Sequence, residues 1–454
     1  MSPEAVVLLM CAVFAALLFT GYPVAFVLGG TGMLIAVLGS VLGAFGIEIG
    51  VNVNYLGLVL NRIWGVMSDT GLVSVPLFIF MGYVLERSGV AESLMAALRR
   101  ALSRAPGGLA IAVTLIGVIL AASTGVVGAS LILLSTLALR PMLAAGYRPE
   151  LATGTIGASG CLGILIPPSI MLIVMAEQMV LPVGDLFMGA VLPGLLLGAL
   201  YAGYILVRAW VRPQDAPRSA VPEDAAQPAW RLALYLARAL VPPVALIVAV
   251  LGSIFLGIAT PAEAAGVGAL GAAVLAALNG RLSLAALREV SESTARTTGF
   301  VFAIFLGATC FSVVLVGVRG DQVIGAALGG VSGEAGMLVL FMLFVIFLLG
   351  FFLEWIEITL IVMPLMRPVV VALGIDPVWF TILVAIVLQT AFISPPVGAA
   401  LFYVKALAPP GVTLVQIYRG TIPFMALQLV GAAIVFAWPW LATWLPKLAY
   451  APAK

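Results

Sequence analysis

Two proline pairs set in strongly apolar sequence are the residues best placed to do chemistry in this chain. Ile164-Leu165-Ile166-Pro167-Pro168-Ser169 returns as Phe392-Ile393-Ser394-Pro395-Pro396-Val397, an offset of 228 residues between Pro167 and Pro395. A Pro-Pro pair removes two backbone donors and cannot sit inside a regular helix. In a bilayer such a break persists only where it is packed in protein or lines a wet cavity. The flanking half-helices keep free N–H and C=O groups, which attract anions and cations respectively. Gly157, Ser159, Gly160 and Ser169 surround the first break; Gln389, Thr390, Ser394, Gly398 and Ala399 surround the second. Their hydroxyl and carbonyl oxygens are hard donors, suited to a small hard cation.

Two more apolar stretches, 108–145 and 335–372, are interrupted in the middle. Ser123-Thr124-Gly125 breaks the first, and Gly350 to Glu357 breaks the second, with Glu354 and Glu357 as its carboxylates. Such tips are poor material to face lipid, so each stretch reads as a re-entrant hairpin. Acids inside a membrane are costly and usually functional, but at a wet tip they also cap helix ends; both readings stand. Four polar tips meeting at mid-membrane make room for one anionic substrate and two cations.

The elements that must hold these tips follow from composition. With 63% hydrophobic and 9% charged residues, the chain is a polytopic membrane protein and not a soluble domain. The 49 glycines and 28 prolines suit close helix packing and interrupted helices. A net charge of +2 without any basic block gives no sign of nucleic-acid binding. Absence of histidine removes His-based metal sites, Ser-His hydrolase triads and a His proton relay, and the three cysteines form no ligand pattern. No nucleotide-binding loop is present, and nothing supports an enzyme.

A span needs about 20 apolar residues, and ten such runs are expected, from 5–20 through 150–177 and 376–406 to 420–446. With the two broken stretches as hairpins, five Lys and Arg (Arg62, Arg319, Arg367, Lys447, Lys454) fall on one side and the other sixteen on the opposite side. The positive-inside rule puts the rich side in the cytoplasm and both termini in the periplasm. The expected fold is therefore all-α, with two inverted repeats. Each repeat holds five spans, a re-entrant hairpin and a Pro-Pro-broken helix. Residues 1–208 form the first repeat, 209–230 a polar cytoplasmic linker, and 231–454 the second repeat. Segments 54–68 and 282–297, each before the third span of its half, are expected as amphipathic helices along the interface. Glu263, after Thr260-Pro261, marks a helix start. The first residues lack the positive charge of a cleaved signal, so the first span is expected to be retained.

At these residues the chain resembles the large membrane subunit of tripartite ATP-independent periplasmic (TRAP) transporters, within the ion transporter superfamily. The matches include Thr20-Gly21-Tyr22-Pro23, Val75-Pro76-Leu77-Phe78, Gly154-Thr155-Ile156-Gly157, Gly163 to Ser169, Leu360 to Leu365, and Ser394-Pro395-Pro396-Val397-Gly398. The resemblance implies an elevator-type importer of a small organic anion in the bacterial inner membrane, driven by sodium ions. Its implied partners are a small four-helix membrane subunit, here expected as a separate polypeptide, a periplasmic substrate-binding protein, and membrane lipids. The resemblance sets the sodium sites at Ser123–Gly125 with Ile164–Ser169 and at Gly350–Glu357 with Thr390–Gly398. With the polar residues around the first break, the expected sodium ligands are Ser123, Gly157, Ser159, Pro167, Ser169, Gly350, Thr390, Ser394, Pro395 and Gly398. The substrate ligands fall at Ser123, Thr124, Gly125, Glu354, Glu357 and Thr390. The tip Ala122 to Gly128 departs from the Ser-Gly-Ser-Ser-Ala of dicarboxylate and sialic-acid members, which points to keto acids, hydroxy acids or polyols. A stand-alone carboxylate carrier of the same superfamily and a passive channel are the alternatives.

Overall fold

The computed structural model describes residues 2–124, 127–218, 229–329, 335–395 and 398–449, and the regular secondary structure of these residues is all helical. The chain opens with α1 (Pro3–Leu18) and α2 (Val24–Ala44), followed by α3 (Gly57–Ser68) and α4 (Ser74–Arg87). Next come α5 (Val90–Ala101), α6 (Gly108–Thr124), α7 (Val127–Leu134) and, after a π turn at Ser135–Leu139, α8 (Arg140–Ala144). The first broken helix is α9 (Pro149–Cys161) with α10 (Ile170–Met179), and α11 (Val183–Val211) ends this half. The second half holds α12 (Ala229–Phe255), α13 (Pro261–Leu278), α14 (Leu284–Gly317) and α15 (Gly320–Gly329). It continues with α16 (Ala335–Leu349), α17 (Trp355–Ala372), the second broken helix α18 (Pro377–Phe392) with α19 (Ala399–Leu407), and then α20 (Leu414–Ala437) and α21 (Trp440–Ala449).

Eight helical segments among the described residues are long and apolar enough to cross a membrane. Six are expected spans: α2, α11, α12, α13, α14 and α20. The other two, Val127–Ala144 and Trp355–Ala372, are the second arms of the two interrupted stretches. Each stretch is thus a pair of helices meeting at a tip, α6 with α7 and α16 with α17. The broken helices lie innermost. Every residue from Leu151 to Cys161 in α9 and from Trp379 to Ala391 in α18 is buried. By contrast α2, α12 and α13 expose large apolar side chains, among them Phe26, Val248 and Leu270. Interrupted backbone therefore sits inside protein, and regular helices take the surface that lipid would cover.

Local sequence explains the boundaries. A capping box starts α13: the Glu263 N–H donates to Thr260 Oγ1 (3.3 Å) and the Thr260 N–H donates to Glu263 Oε2 (2.8 Å). Asp376 starts α18, its Oδ1 accepting from the N–H groups of Val378 (3.0 Å) and Trp379 (3.2 Å). An Asp376→Ala variant should lose about 1 kcal/mol of stability, and Asp376→Asn little; thermal unfolding of the purified protein in detergent measures both.

Three elements differ from the sequence-based expectation. Segment 282–297 is not a separate interface helix, because α14 runs unbroken from Leu284 to Gly317. No Pro or Gly interrupts it before Gly299, and Arg288 pairs with Glu292 one turn on (2.9 Å). Its 34 residues measure about 51 Å, well over the hydrocarbon thickness, so its first turns project beyond the hydrocarbon. There Glu289 pairs with Arg87 at the end of α4. The matching segment at 54–68 does break, because Asp69 leaves the helical region and accepts from the Gly71 N–H (2.6 Å). Residues 90–101, expected only as charged flank, form the amphipathic α5, which buries Val90, Leu94 and Leu98 and leaves Arg99 outside. The last span is divided into α20 and α21 at Trp438-Pro439, where Pro439 pushes Trp438 out of the helical region (φ −124°, ψ 77°).

Candidate functional site

In the first broken helix, α9 tightens into a single 3₁₀ turn at Leu162–Ile164. Ser169 is extended (φ −126°, ψ 129°), and its Oγ–H donates to the Ile164 carbonyl before α10 begins. Ser159 donates to Thr114 Oγ1 on α6 (3.3 Å), and Thr114 donates on to the Ala110 carbonyl (3.2 Å). Gly157 looks the other way, toward Leu401 of α19 and Thr421 of α20. Gly157, Ser159, Pro167 and Ser169 are therefore all buried near one break, with Gly157 and Ser159 on two faces of α9.

The second break carries the same chemistry. Thr390 donates to the Ile386 carbonyl (3.0 Å), and Ser394 donates to the Thr390 carbonyl (2.7 Å). Both hydroxyl protons are committed within the helix, which leaves oxygen lone pairs as the groups on offer. Pro395 follows, and Gly398 caps α19 in the left-handed region (φ 44°), where a Cβ would stand 2.9 Å from the Ser394 carbonyl oxygen. Gly350, at the start of the second hairpin tip, abuts Ala391; a Cβ there would be 2.6 Å from that of Ala391.

Of the first hairpin tip, Ser123 and Thr124 close α6, their side chains not being described, and Gly125 lies outside the described residues. The second tip separates its two acids. Glu354 is the N-cap of α17 but makes no capping bond with its side chain, and it faces a cavity. Glu357, three residues on, is 1% exposed, with Oε2 unpaired, and does not line that cavity. A carboxylate at this third helical position sits among the free N–H groups of the first turn.

The cavity holds about 350 Å³ and draws on every broken element. Val127 and Gly128 enter from just past the first hairpin tip, and Ile170 from just past the first break. The second hairpin contributes Glu354, Trp355 and Ile356, and the second break is flanked by Phe392, Ala400 and Tyr403. The remaining wall is one stripe of α14: Arg296, Thr297, Phe300 and Val301. Tyr83 of α4 holds Thr297 by a hydroxyl–hydroxyl bond of 2.8 Å. Among the described residues, neither Arg296 nor Glu354 forms an ion pair.

Sequence reasoning missed Arg296 and Tyr403. Arg296 was read as one more cytoplasmic charge. The available signal was its place as the last charge in α14 before an apolar run of more than 20 residues. Tyr403 lies one turn into the helix that restarts after the second Pro-Pro pair. Thr390, Ser394, Ser159 and Ser169 do not line the cavity; they stand behind it, at the breaks.

The family model for the DctM component of the tripartite ATP-independent periplasmic transporter matches residues 11–441. The chain belongs to this TRAP large-subunit family. It is 31% identical over 381 residues to the C4-dicarboxylate TRAP transporter large permease protein DctM of Pseudomonas aeruginosa, covering 83% of this chain and 86% of that one. It is 27% identical to the isethionate TRAP transporter permease protein DctMQ of Oleidesulfovibrio alaskensis, covering 92% of this chain and 62% of that longer one. The fold is similar to that of the Alcanivorax borkumensis YdaH transporter, with a TM-score of 0.67 at 18% identity over 92% of this chain and 99% of that one. These TRAP relatives are transporter permeases, and this chain is accordingly a multi-pass membrane component of a tripartite, ATP-independent system.

Proposed function

We propose that this chain is the large permease subunit of a sodium-coupled importer, and that its cargo, a small organic carboxylate, binds in the cavity bounded by Arg296, Glu354 and Tyr403. The observation that carries this reading is that residues flanking both hairpin tips and both Pro-Pro breaks line one cavity together with a guanidinium that, among the described residues, forms no ion pair. Cargo would arrive from a periplasmic binding protein, and a small membrane subunit would complete the assembly.

The proposed steps use the polar groups of the tips and the breaks. Sodium ions settle at the breaks, one at the Ser123–Gly125 tip with Ser159, Pro167 and Ser169, Gly157 lying on the opposite face of α9, the other at Gly350 with Thr390, Ser394, Pro395 and Gly398. Hydroxyls whose protons are spent on neighbouring carbonyls offer the lone pairs a hard cation takes. Bound cations draw the hairpin arms against the broken helices and complete the cavity wall. A carboxylate then meets the Arg296 guanidinium, a planar fork of donors that fits it in two-point fashion. The hairpins and broken helices, α6–α11 and α16–α21, would slide as one body against α1–α4 and α12–α14, related as inverted repeats in elevator fashion.

The test is uptake into proteoliposomes that carry both membrane subunits, with the loaded binding protein outside. Uptake should rise with an inward sodium gradient and collapse when potassium replaces sodium. Equal uptake under both conditions would refute the coupling.

A further inference from the structure

The cavity carries one cation and one anion that do not neutralise each other. Arg296 stands on the α14 wall and Glu354 on the second hairpin tip, and among the described residues no ion pair joins them to each other or to a third group. A cargo with two carboxylates satisfies Arg296 but sets its second negative charge in the same small cavity as Glu354. A cargo with a single carboxylate and a plain apolar end leaves Glu354 without a partner. Both residues are exposed, so it is cargo binding that would cover them, and a like charge or an apolar group set beside either counts against that cargo.

The surroundings of Glu354 favour one kind of partner. Trp355 is its neighbour on the tip, and Tyr403 lies within electrostatic reach of it. Phe392 and Phe300 complete an aromatic lining on the same cavity. Aromatic faces beside a carboxylate are the surface that holds an ammonium or amidinium group, since the ring quadrupole and the anion act with the same sign. Tyr403 is itself fixed: its ring lies on Gly128, where an added Cβ would come within 3.1 Å of it. Arg296 and Thr297 share one face of α14 with Phe300 and Val301, four positions on, so the anion-binding and aromatic groups of this wall are rigidly spaced.

Resting on the assignment of this cavity as the cargo site, we infer that the cargo is a small zwitterion, its carboxylate on Arg296 and its cationic nitrogen against Glu354, Trp355 and Tyr403. This departs from the dicarboxylate named for the Pseudomonas relative.

Binding to the purified full-length chain in sodium-containing detergent solution tests this. The probes are glycine betaine, 4-aminobutyrate, lactate and succinate, with the variants Glu354→Gln, near-isosteric with glutamate, and Arg296→Gln, which removes the guanidinium. At least one of the two zwitterions should bind the native chain at least about tenfold more tightly than succinate does. Glu354→Gln should weaken the zwitterion by a similar factor and leave succinate equal or tighter, while Arg296→Gln weakens every probe. Succinate or lactate binding as tightly as both zwitterions, or a Glu354→Gln variant with unchanged selectivity, overturns the zwitterion while Arg296→Gln still confirms the site. Indifference of all probes to both variants, or no saturable binding of any probe, overturns the cavity assignment as well.

Discussion

A Thr390→Val, Ser394→Ala double variant should need at least about tenfold more sodium for half-maximal uptake, a loss of about 1.4 kcal/mol in cation binding. Valine has nearly the shape of threonine, and alanine removes a single atom from serine, so the break stays packed. The variant removes two oxygens whose protons point to the Ile386 and Thr390 carbonyls and whose lone pairs remain. Each carbonyl loses one donor, but the Thr390 carbonyl still accepts from the Ile393 N–H (3.3 Å), so the helix itself loses little. Maximal uptake at saturating sodium should be nearly native, because the cavity-lining groups Arg296, Glu354 and Tyr403 are untouched. Thr381→Val is the control: its hydroxyl makes the same type of bond, to the Pro377 carbonyl (2.7 Å), but lies well before the break. Sodium titrations of uptake measure all three proteins. A native sodium requirement in the double variant would place the coupling ion elsewhere.

The largest structural effect is expected where α9 meets α20. A Cβ on Gly154 would stand 2.1 Å from the Gly420 carbonyl oxygen, and a Cβ on Gly420 would stand 2.1 Å from that of Glu150. Both obstacles are backbone, with no rotamer that can yield. Gly420→Val should therefore cost about 3 kcal/mol or more, at the upper end of what overpacking costs in a core. Because α9 leads into the first break, the displacement also moves Gly157, which faces Thr421 across the same contact. Thermal unfolding and size-exclusion profiles in detergent, followed by uptake, check this. Gly203→Ala on α11, where nothing lies within 4 Å of the added Cβ, should be neutral or slightly stabilising. A Gly420→Val variant as stable as Gly203→Ala would mean that the two helices do not touch at this point.

Much of the fold was legible because the bilayer leaves few choices. Length and hydropathy located six of the ten expected spans. Two Pro-Pro pairs located the breaks, but a further pair, Pro242-Pro243, sits inside α12 without ending it, so the loss of two N–H groups does not by itself decide a break. Glu263 was recognised as a helix start from its spacing after Thr260 alone, and the capping box bears this out. What failed to read was continuity. Nothing in the charges of 282–297 distinguishes a helix lying on the interface from the first turns of a long one. That choice was made by the contacts of α14 with α2 and α4 and by the pairing of Glu289 with Arg87. In the same way Glu354 and Glu357 are equivalent in sequence, both acids in one apolar hairpin. The start of α17 between them sends one into the cavity and buries the other.

The sequence by itself determined that this is a membrane protein with interrupted helices and which residues stand at the interruptions, because unpaired backbone in a bilayer is expensive enough to leave its mark on composition. Only the tertiary structure decided that Arg296 and Tyr403 share a cavity with Glu354. A cavity is defined by side chains from helices far apart in sequence, and its position depends on how closely α4, α14 and the hairpins approach, which no local pattern encodes.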